Sequence, residues 1–310
     1  IMSSDWSSDV CSSDLYEITL DAKEMRADYF SGYVFSHLYD PEASTERILE
    51  LSRQWVTNYC SDANPYQSWN VDLDAGSPLR IGIVSGDFRN HPVGFFLESV
   101  LRKLSARGVE VYLYSTVMTV DSNTEKFMEL ADSWYPAFKD TADALAERIH
   151  KDKVKILIDV AGHTAHNRLS VFARKPAPVQ LTWLGYLSTS GLDTMDYIVG
   201  DPWVTPPGEE AHFTEQPLVL PRTYQCLSEP DIELEVAELP ALKNGYVTFG
   251  SFNNFAKLNP PVLEHWGNVL RAVPDSRLLL KNQVLTDPVY QERLTQRFAE
   301  FGIDSSRLMF

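Results

Sequence analysis

The sequence has 310 residues, 44% hydrophobic and 23% charged, a mixture typical of a globular protein large enough for two domains. Its formal net charge of −16 and pI near 4.8 disfavour nucleic acid as a partner, because non-specific binding to phosphates needs a dense basic surface. Neither a long apolar run nor a secretory signal pattern is visible, so the sequence predicts a cytoplasmic protein with no membrane partner.

The first fourteen residues are predicted to be a non-native stretch. Ser-Ser-Asp occurs three times within residues 1–14 and fits neither a helical nor a strand period. The string resembles a translated sequencing-adapter artefact and is set aside for fold prediction. It carries three Asp and no Lys or Arg, so without it the net charge is −16 + 3 = −13, which is still strongly acidic.

Residues 15–62 are predicted to form N-terminal helices that lead into a domain. Phe30 and Val34 fall on one face of a first helix, and Leu51 and Trp55 fall on one face of a second. An apolar stripe of this kind must be buried against another element. We therefore expect both helices to pack on the domain that follows.

Residues 63–225 are predicted to form a first Rossmann-like lobe. Short apolar runs alternate with helical patterns, which indicates a parallel sheet covered by helices on both faces. The predicted strands cover residues 81–85, 109–114, 155–160, 180–183 and 197–199, and the predicted helices cover residues 93–106 and 143–150.

An acidic stretch makes residues 226–244 a predicted linker, and residues 245–310 begin a second Rossmann-like lobe. Its predicted strands cover residues 246–252, 277–280 and 307–310, and its predicted helices cover residues 261–273 and 289–301. Because the chain ends on an apolar strand with no covering helix after it, we expect this second lobe to be incomplete. The predicted fold class is α/β with two Rossmann-like lobes.

The loop after the first predicted strand is the first candidate site. In an open parallel sheet, ligands bind beyond the carboxyl ends of the strands, where helix N-termini present free N–H groups. Asp87 and His91 lie in that loop, and Pro92 suits the first position of the next helix. A carboxylate and an imidazole at this edge can exchange protons with a substrate. The same residues also fit a turn aspartate and a surface histidine.

Two further strand-to-helix loops carry candidate residues. One contains His163 and Thr164, of which Thr164 is expected to cap a helix. The other contains Gly185, which would let the backbone approach a ligand closely, and Tyr186, which could pack against a ring. The alternative, a loop glycine and a core aromatic, is open from spacing alone.

No metal and no cofactor is predicted. His163 lies three residues before His166, but no third ligand of the metal-binding type is nearby. The three cysteines, Cys11, Cys60 and Cys226, are too widely and irregularly spaced for a disulfide framework or a zinc site. Any phosphate that the protein handles must be held by local groups.

Four segments, in this order, resemble the catalytic region of O-GlcNAc transferases and SPINDLY-type enzymes. They are residues 83–92 (IVSGDFRNHP), 156–169 (ILIDVAGHTAHNRL), 175–191 (KPAPVQLTWLGYLSTSG) and 249–260 (FGSFNNFAKLNP). The resemblance implies a GT-B type fold with the active site in the cleft between two lobes. It also implies transfer of a sugar from a nucleotide sugar to Ser or Thr hydroxyls of proteins, with UDP-GlcNAc favoured because the broader part of the family uses it.

The resemblance also implies roles for six residues. In the family, the matching positions are a histidine that faces donor and acceptor, an aspartate considered as a base, two backbone positions near the donor sugar, and a pair at the donor diphosphate. In this sequence they are His91, Asp87, Leu184, Gly185, Asn254 and Lys257, in that order. A fixed cation at the diphosphate stabilises the charge that develops on the leaving group. Leu187 departs from the pattern, because the family usually has Pro there.

Other functions stay open at this point: a protein O-fucosyltransferase that uses GDP-fucose, a sugar-nucleotide epimerase, and a non-catalytic binding module. The tetratricopeptide repeats expected upstream in the family are not seen, since no 34-residue repeat is visible. The family's later nucleotide-binding segment would lie beyond Phe310. We therefore expect this chain alone to be a weak or inactive enzyme.

Overall fold

The computed structural model describes residues 26–71, 77–228 and 235–310. The predicted non-native stretch, residues 1–14, lies outside the described residues. The chain divides into two compact units, with the division between Pro230 and Asp231.

The first unit is built on a seven-stranded, fully parallel sheet. Its strand order is β3-β2-β1-β4-β5-β6-β7, in which the chain runs outward in one direction from β1 and then returns to continue on the other side. The strands are β1 Arg80–Ser85, β2 Glu110–Ser115, β3 Ser133–Pro136, β4 Ile156–Asp159, β5 Val179–Thr182, β6 Tyr197–Gly200 and β7 Gln216–Val219. This order places the topological switch between β1 and β4, where ligands bind in doubly wound folds.

Helices cover both faces of this sheet. They are α1 Ala27–Ser36, α2 Thr45–Tyr59, α3 Pro92–Ser105, α4 Ser122–Leu130, α5 Ala142–Lys151 and α6 Leu169–Phe172. Successive strand residues point to opposite faces, so the sheet has two separate cores. Ile83 of β1 packs with Leu97 of α3 on one face, and Val84 lies in the core on the other. None of the helices in the described ranges is long and apolar enough to span a membrane.

The five predicted strands of this unit are confirmed, each with ends within two residues of the prediction. The sequence prediction gave no range for β3, β7, the helix α4 or the four-residue helix α6. Both strands contain a proline, and neither shows the continuous apolar run of a central strand. They lie at the two edges of the sheet, where burial is weakest and the sequence signal is faint.

The N-terminal helices pack on the first unit, which confirms the prediction from their apolar faces. Phe30 of α1 and Trp55 of α2 are buried in the same core as Phe172 and Leu192. The indole N–H of Trp55 donates to the carbonyl of Ala27, which ties the two helices together. These helices therefore complete one face of the sheet.

The second unit contains a three-stranded parallel sheet in the order β10-β9-β8. Its elements are α7 Pro240–Asn244, β8 Thr248–Ser251, α8 Pro260–Ala272, β9 Arg277–Leu280, α9 Pro288–Glu300 and β10 Leu308–Met309. α8 and α9 each begin with proline and are capped by Asn259 and Asp287, whose side chains accept from Val262 N and Val289 N. The helix α7 was not predicted, because it lies in the stretch assigned to the linker.

Candidate active site at the carboxyl edge of the first sheet

The loop between β1 and α3 is held by its own polar side chains. Ser85 Oγ accepts a hydrogen bond from the backbone N–H of Asp87 at 2.9 Å. His91 is the N-cap of α3, and its Nδ1 accepts from Val93 N at 3.3 Å. Pro92 is the first residue of α3, as predicted. The local sequence therefore fixes the positions of both Asp87 and His91.

Asp87 and His91 form a close acid and imidazole pair. The distance from Asp87 Oδ1 to His91 Nδ1 is 3.5 Å, and the Arg89 guanidinium lies 3.7 Å from the same oxygen. The Asp87 side chain is 8% exposed, whereas the His91 side chain is 37% exposed. Burial raises the pKa of Asp87, and electrostatic interactions with the His91, Arg89 and His166 side chains partly offset that rise. A buried carboxylate thus lies behind an imidazole that is open to solvent.

A residue that sequence reasoning missed, Asp121, supports this loop from the N-terminal cap of α4. One carboxylate oxygen of Asp121 accepts from the backbone N–H of Asn90 at 2.7 Å. The other accepts from Asn123 N and Thr124 N and so caps α4. The available signal was the Asp-x-x-Thr pattern of a helix start, but the pattern could not show the contact with Asn90.

The loop after β5 contains a strained turn at Leu184. Leu184 has a φ of 79°, in the region that favours glycine, and Gly185 N donates to Trp183 O at 3.0 Å. An i to i+2 hydrogen bond around a positive φ is a γ-turn of the rare, strained kind. Leu184 is also buried. A bulky residue kept in this backbone conformation is typical of a functional site.

Gly185 is required by close packing within the chain. A Cβ at this position would lie 2.1 Å from the carbonyl oxygen of Val160, in the loop after β4. It would also lie 3.4 Å from Val93 Cγ2, at the start of α3. The structure therefore brings the Leu184 turn together with the Asp87 and His91 loop. The close approach predicted for Gly185 is made by another backbone segment, independently of any ligand.

His163 is a buried structural residue. It has no exposed surface, its Nδ1 lies 3.2 Å from Ser31 Oγ, and its Nε2 lies 3.0 Å from Ser190 O. Burial lowers the pKa of His163 to about 4, so the ring is neutral at pH 7. The imidazole links α1 to the loop after β5, and it does not line an open edge.

Tyr186 and Thr164 also serve the fold. Tyr186 is buried, and its ring lies against Gly162, where a Cβ would be 2.4 Å from Tyr186 Cβ. The core-aromatic alternative therefore describes Tyr186. The prediction that Thr164 caps a helix is wrong, because its hydroxyl donates to Ala161 O at 2.8 Å and α6 begins only at Leu169.

Asn254 and Lys257 lie in the second unit. Asn254 Oδ1 accepts from Ala256 N at 3.1 Å and caps a short 3-10 turn, Phe255–Lys257. Lys257 is exposed, and the described part of the chain places no carboxylate at ion-pair distance from its ammonium group. It lies three residues before the first residue of α8. Lys257 is thus an available cation next to a helix N-terminus.

The fold of this chain is similar to that of a known glycosyltransferase. A solved structure of a mutant of the Thermobaculum terrenum O-GlcNAc transferase matches this chain with a TM-score of 0.87 and 34% identity. That match covers 96% of this chain and 56% of that one. The fold is therefore that of a GT-B type glycosyltransferase.

Sequence relatives identify the family. Residues 57–231 match the profile of glycosyl transferase family 41, and the chain belongs to this family. It is 34% identical over 274 residues to a Solanum lycopersicum protein named "Probable UDP-N-acetylglucosamine--peptide N-acetylglucosaminyltransferase SPINDLY". It is 36% identical over 151 residues to the Caenorhabditis elegans "UDP-N-acetylglucosamine--peptide N-acetylglucosaminyltransferase". That match covers 48% of this chain and 13% of the Caenorhabditis elegans protein. The tomato match covers 87% of this chain, which spans 29% of the tomato protein.

Proposed function

We propose that this protein transfers N-acetylglucosamine from UDP-GlcNAc to Ser or Thr hydroxyls of acceptor proteins. The observation that carries the proposal is the Asp87 and His91 pair, at 3.5 Å, on the first strand-to-helix loop of a family 41 fold. The names of the tomato and Caenorhabditis elegans relatives support the choice of donor and acceptor. No cofactor and no metal has a step in this proposal.

His91 acts as the general base in this mechanism. Its Nδ1 lies within reach of both the N–H of Val93 and the carboxylate of Asp87. In the tautomer that acts as base, Nδ1 carries the proton and donates it to Asp87 in place of accepting from Val93 N, and the lone pair of Nε2 is free to take the proton of the acceptor hydroxyl. Asp87 orients the ring and stabilises the imidazolium that forms, as a carboxylate does behind other catalytic histidines.

The transfer is a single displacement. A bond forms between the acceptor oxygen and the anomeric carbon, while the bond from that carbon to the diphosphate oxygen breaks. The hydroxyl proton passes to His91, and UDP leaves with the bonding electron pair. The anomeric centre is inverted, and no covalent enzyme intermediate forms.

Other residues hold the donor. The backbone at Leu184 and Gly185 contacts the donor sugar, and its fixed geometry limits the orientations that the sugar can adopt. Lys257 and Asn254 serve the diphosphate, where the ammonium group of Lys257 offsets the charge that develops on the leaving group.

The site of action is the cytoplasm, which immunofluorescence of the tagged protein in intact cells would test.

The experiment is a transfer assay with enzyme in excess over a Ser/Thr-rich acceptor protein, read by mass spectrometry of the acceptor. UDP-GlcNAc should add an N-acetylhexosamine, and GDP-fucose should add nothing. His91→Asn is the paired variant, because Asn keeps the helix cap and removes the base. Addition of a deoxyhexose, or transfer by this variant at the wild-type rate, would contradict the proposal.

Two control arms separate the remaining functions. Labelled UDP-GlcNAc without acceptor should be recovered unchanged, whereas release of an epimerised sugar would identify an epimerase. Binding of UDP-GlcNAc, measured by ligand-observed NMR, with neither transfer nor hydrolysis in any arm would identify a binding module. Each of these results would replace the transferase assignment.

A further inference from the structure

The strained turn at Leu184 needs an outside restraint. A leucine with a φ of 79° relaxes to an ordinary conformation unless surrounding contacts prevent it. The single hydrogen bond within the turn, from Gly185 N to Trp183 O, is local and cannot do this alone. Leu184 packs in the hydrophobic core, and the neighbouring strand β4, which pairs with β5 along its length, supplies further contacts on both sides of the turn.

Asp159, the last residue of β4, makes several of these contacts. Its Oδ2 accepts from the hydroxyl of Thr182, the last residue of β5, at 3.0 Å. The same oxygen accepts from Gly162 N at 2.7 Å, and Oδ1 accepts from Ala161 N at 3.2 Å. The Asp159 backbone carbonyl accepts from Trp183 N at 2.9 Å. One residue thus ties the loop after β4 to the start of the turn.

The loop that Asp159 holds also packs against the end of the turn, at Gly185. Val160 follows Asp159 directly, and its carbonyl oxygen lies so close to Gly185 that no Cβ fits between them. Hydrogen bonds to Asp159 therefore fix the turn before Leu184, and contact with Val160 fixes it after Leu184. Any shift of the Val160 loop would release the second restraint.

We propose that Asp159 is a positioning residue, which keeps the strained turn at Leu184 in place for the donor sugar. The part of this inference that concerns the donor rests on the proposed function. Asp159 itself is 1% exposed and does not reach substrate. Its effect passes through Thr182 and the Val160 loop.

The identity of the residue supports a role beyond stability. Burial raises the pKa of Asp159 to about 6, so the charged form is held in the interior at a cost. Glu215, which accepts from Thr189 and Ser190, adds a nearby negative charge and a further cost. Asparagine at position 159 would avoid both costs, but its NH₂ group would replace one of the accepting oxygens, so only the carboxylate can accept from Ala161, Gly162 and Thr182 together.

The test compares Thr182→Val, Thr182→Ser and Asp159→Asn. Valine deletes the hydroxyl that Asp159 binds and keeps the side-chain shape, whereas serine restores the hydroxyl. Asp132→Asn is the matched control, because Asp132 also accepts from a backbone N–H, that of Val111, but lies just before the edge strand β3, at the amino end of the parallel strands. All variants are made in the full chain.

The first readout, amide hydrogen exchange by mass spectrometry, needs no activity. Peptides that cover residues 160–164 and 183–187 should both exchange faster in Thr182→Val and Asp159→Asn, while Thr182→Ser and Asp132→Asn should match the wild type. Faster exchange in residues 160–164 alone would overturn the proposal, because Asp159 would then hold only its own loop.

The second readout is steady-state kinetics with UDP-GlcNAc, in which KM and kcat are determined separately for each variant. Thr182→Val should raise this KM about tenfold or more relative to Thr182→Ser, since loss of donor positioning of this kind is costly. An unchanged KM and kcat, with exchange altered as expected, would overturn the donor part of the inference. If the wild type transfers no sugar at all, the proposed function fails, and the exchange result still decides whether Asp159 holds the turn.

Discussion

Replacing Gly185 with alanine tests whether close packing against Val160 positions the Leu184 turn. The added Cβ would lie 2.1 Å from Val160 O, whereas real Cβ atoms essentially never come within 3.0 Å of another heavy atom. The two groups must therefore separate by at least 0.9 Å (3.0 − 2.1). Both are backbone positions, so no flexible side chain can absorb the shift.

Overpacking of this kind costs about 1–3 kcal/mol, which corresponds to a fall in Tm of roughly 2–12 °C for a domain of this size. The same displacement moves the turn by about 1 Å, and misplacement on that scale lowers transfer roughly 100-fold. Differential scanning fluorimetry measures the first effect, and kcat/KM for UDP-GlcNAc with a protein acceptor measures the second.

Gly250→Ala is the matched control, because the nearest atom to a Cβ there is Leu279 O at 3.9 Å and nothing has to move. Its Tm should stay near that of the wild type. A Gly185→Ala protein with wild-type Tm and transfer within twofold of wild type would refute the packing argument, since it would show that the turn moves without cost.

Three further outcomes are expected, two for the site and one for the buried His163. His91→Asn should abolish transfer and leave Tm unchanged, because Asn still accepts from Val93 N and caps α3; circular dichroism and the transfer assay measure both. Lys257→Met should weaken UDP binding at least tenfold without changing Tm, because Lys257 is exposed; calorimetric titration with UDP measures this. In the wild type, His163 should lower the free energy of unfolding by about 3 kcal/mol as the pH falls from 6.5 to 4. His163→Gln should abolish this decrease, and urea unfolding across that pH range measures it.

The sign of the His163 effect comes from its lowered pKa. The unfolded chain takes up the proton below pH 6.5, and the folded chain does so only near pH 4. Lowering the pH therefore stabilises the unfolded state relative to the folded state. Asp159 acts in the opposite sense, because its raised pKa makes the folded chain bind a proton first as the pH falls below about 6. The contribution of His163 is therefore the difference in free energy of unfolding between the wild type and His163→Gln at each pH. If the two proteins showed the same pH dependence, His163 would not be buried in its neutral form.

For Lys257, the control is Lys243→Met, at an exposed lysine in the last turn of α7. An equal loss of UDP binding in both variants would point to a general charge effect and away from a local contact at Lys257. An unchanged affinity in Lys257→Met would remove that residue from the donor site.

Local patterns in the sequence were enough to predict the central elements of both sheets. β1, β4 and β9 are continuous apolar runs, and α8 and α9 begin with a polar cap followed by proline, so their signals lie within a few neighbouring residues. The place of Asp87 and His91 at a strand end followed for the same reason. The roles of Asn254 and Lys257 came only from resemblance and stay predictions.

The tertiary structure decided which loop residues face solvent and which face the core. His163 and Gly185 carry the same sequence signal as site residues, yet one is buried between α1 and the β5 loop, and the other is needed by Val160. Asp121 contacts Asn90, 31 residues away in the chain, and Asp159 contacts Thr182, 23 residues away. A sequence pattern reports short-range spacing, whereas these contacts depend on the order of strands in the sheet, which only the folded chain sets.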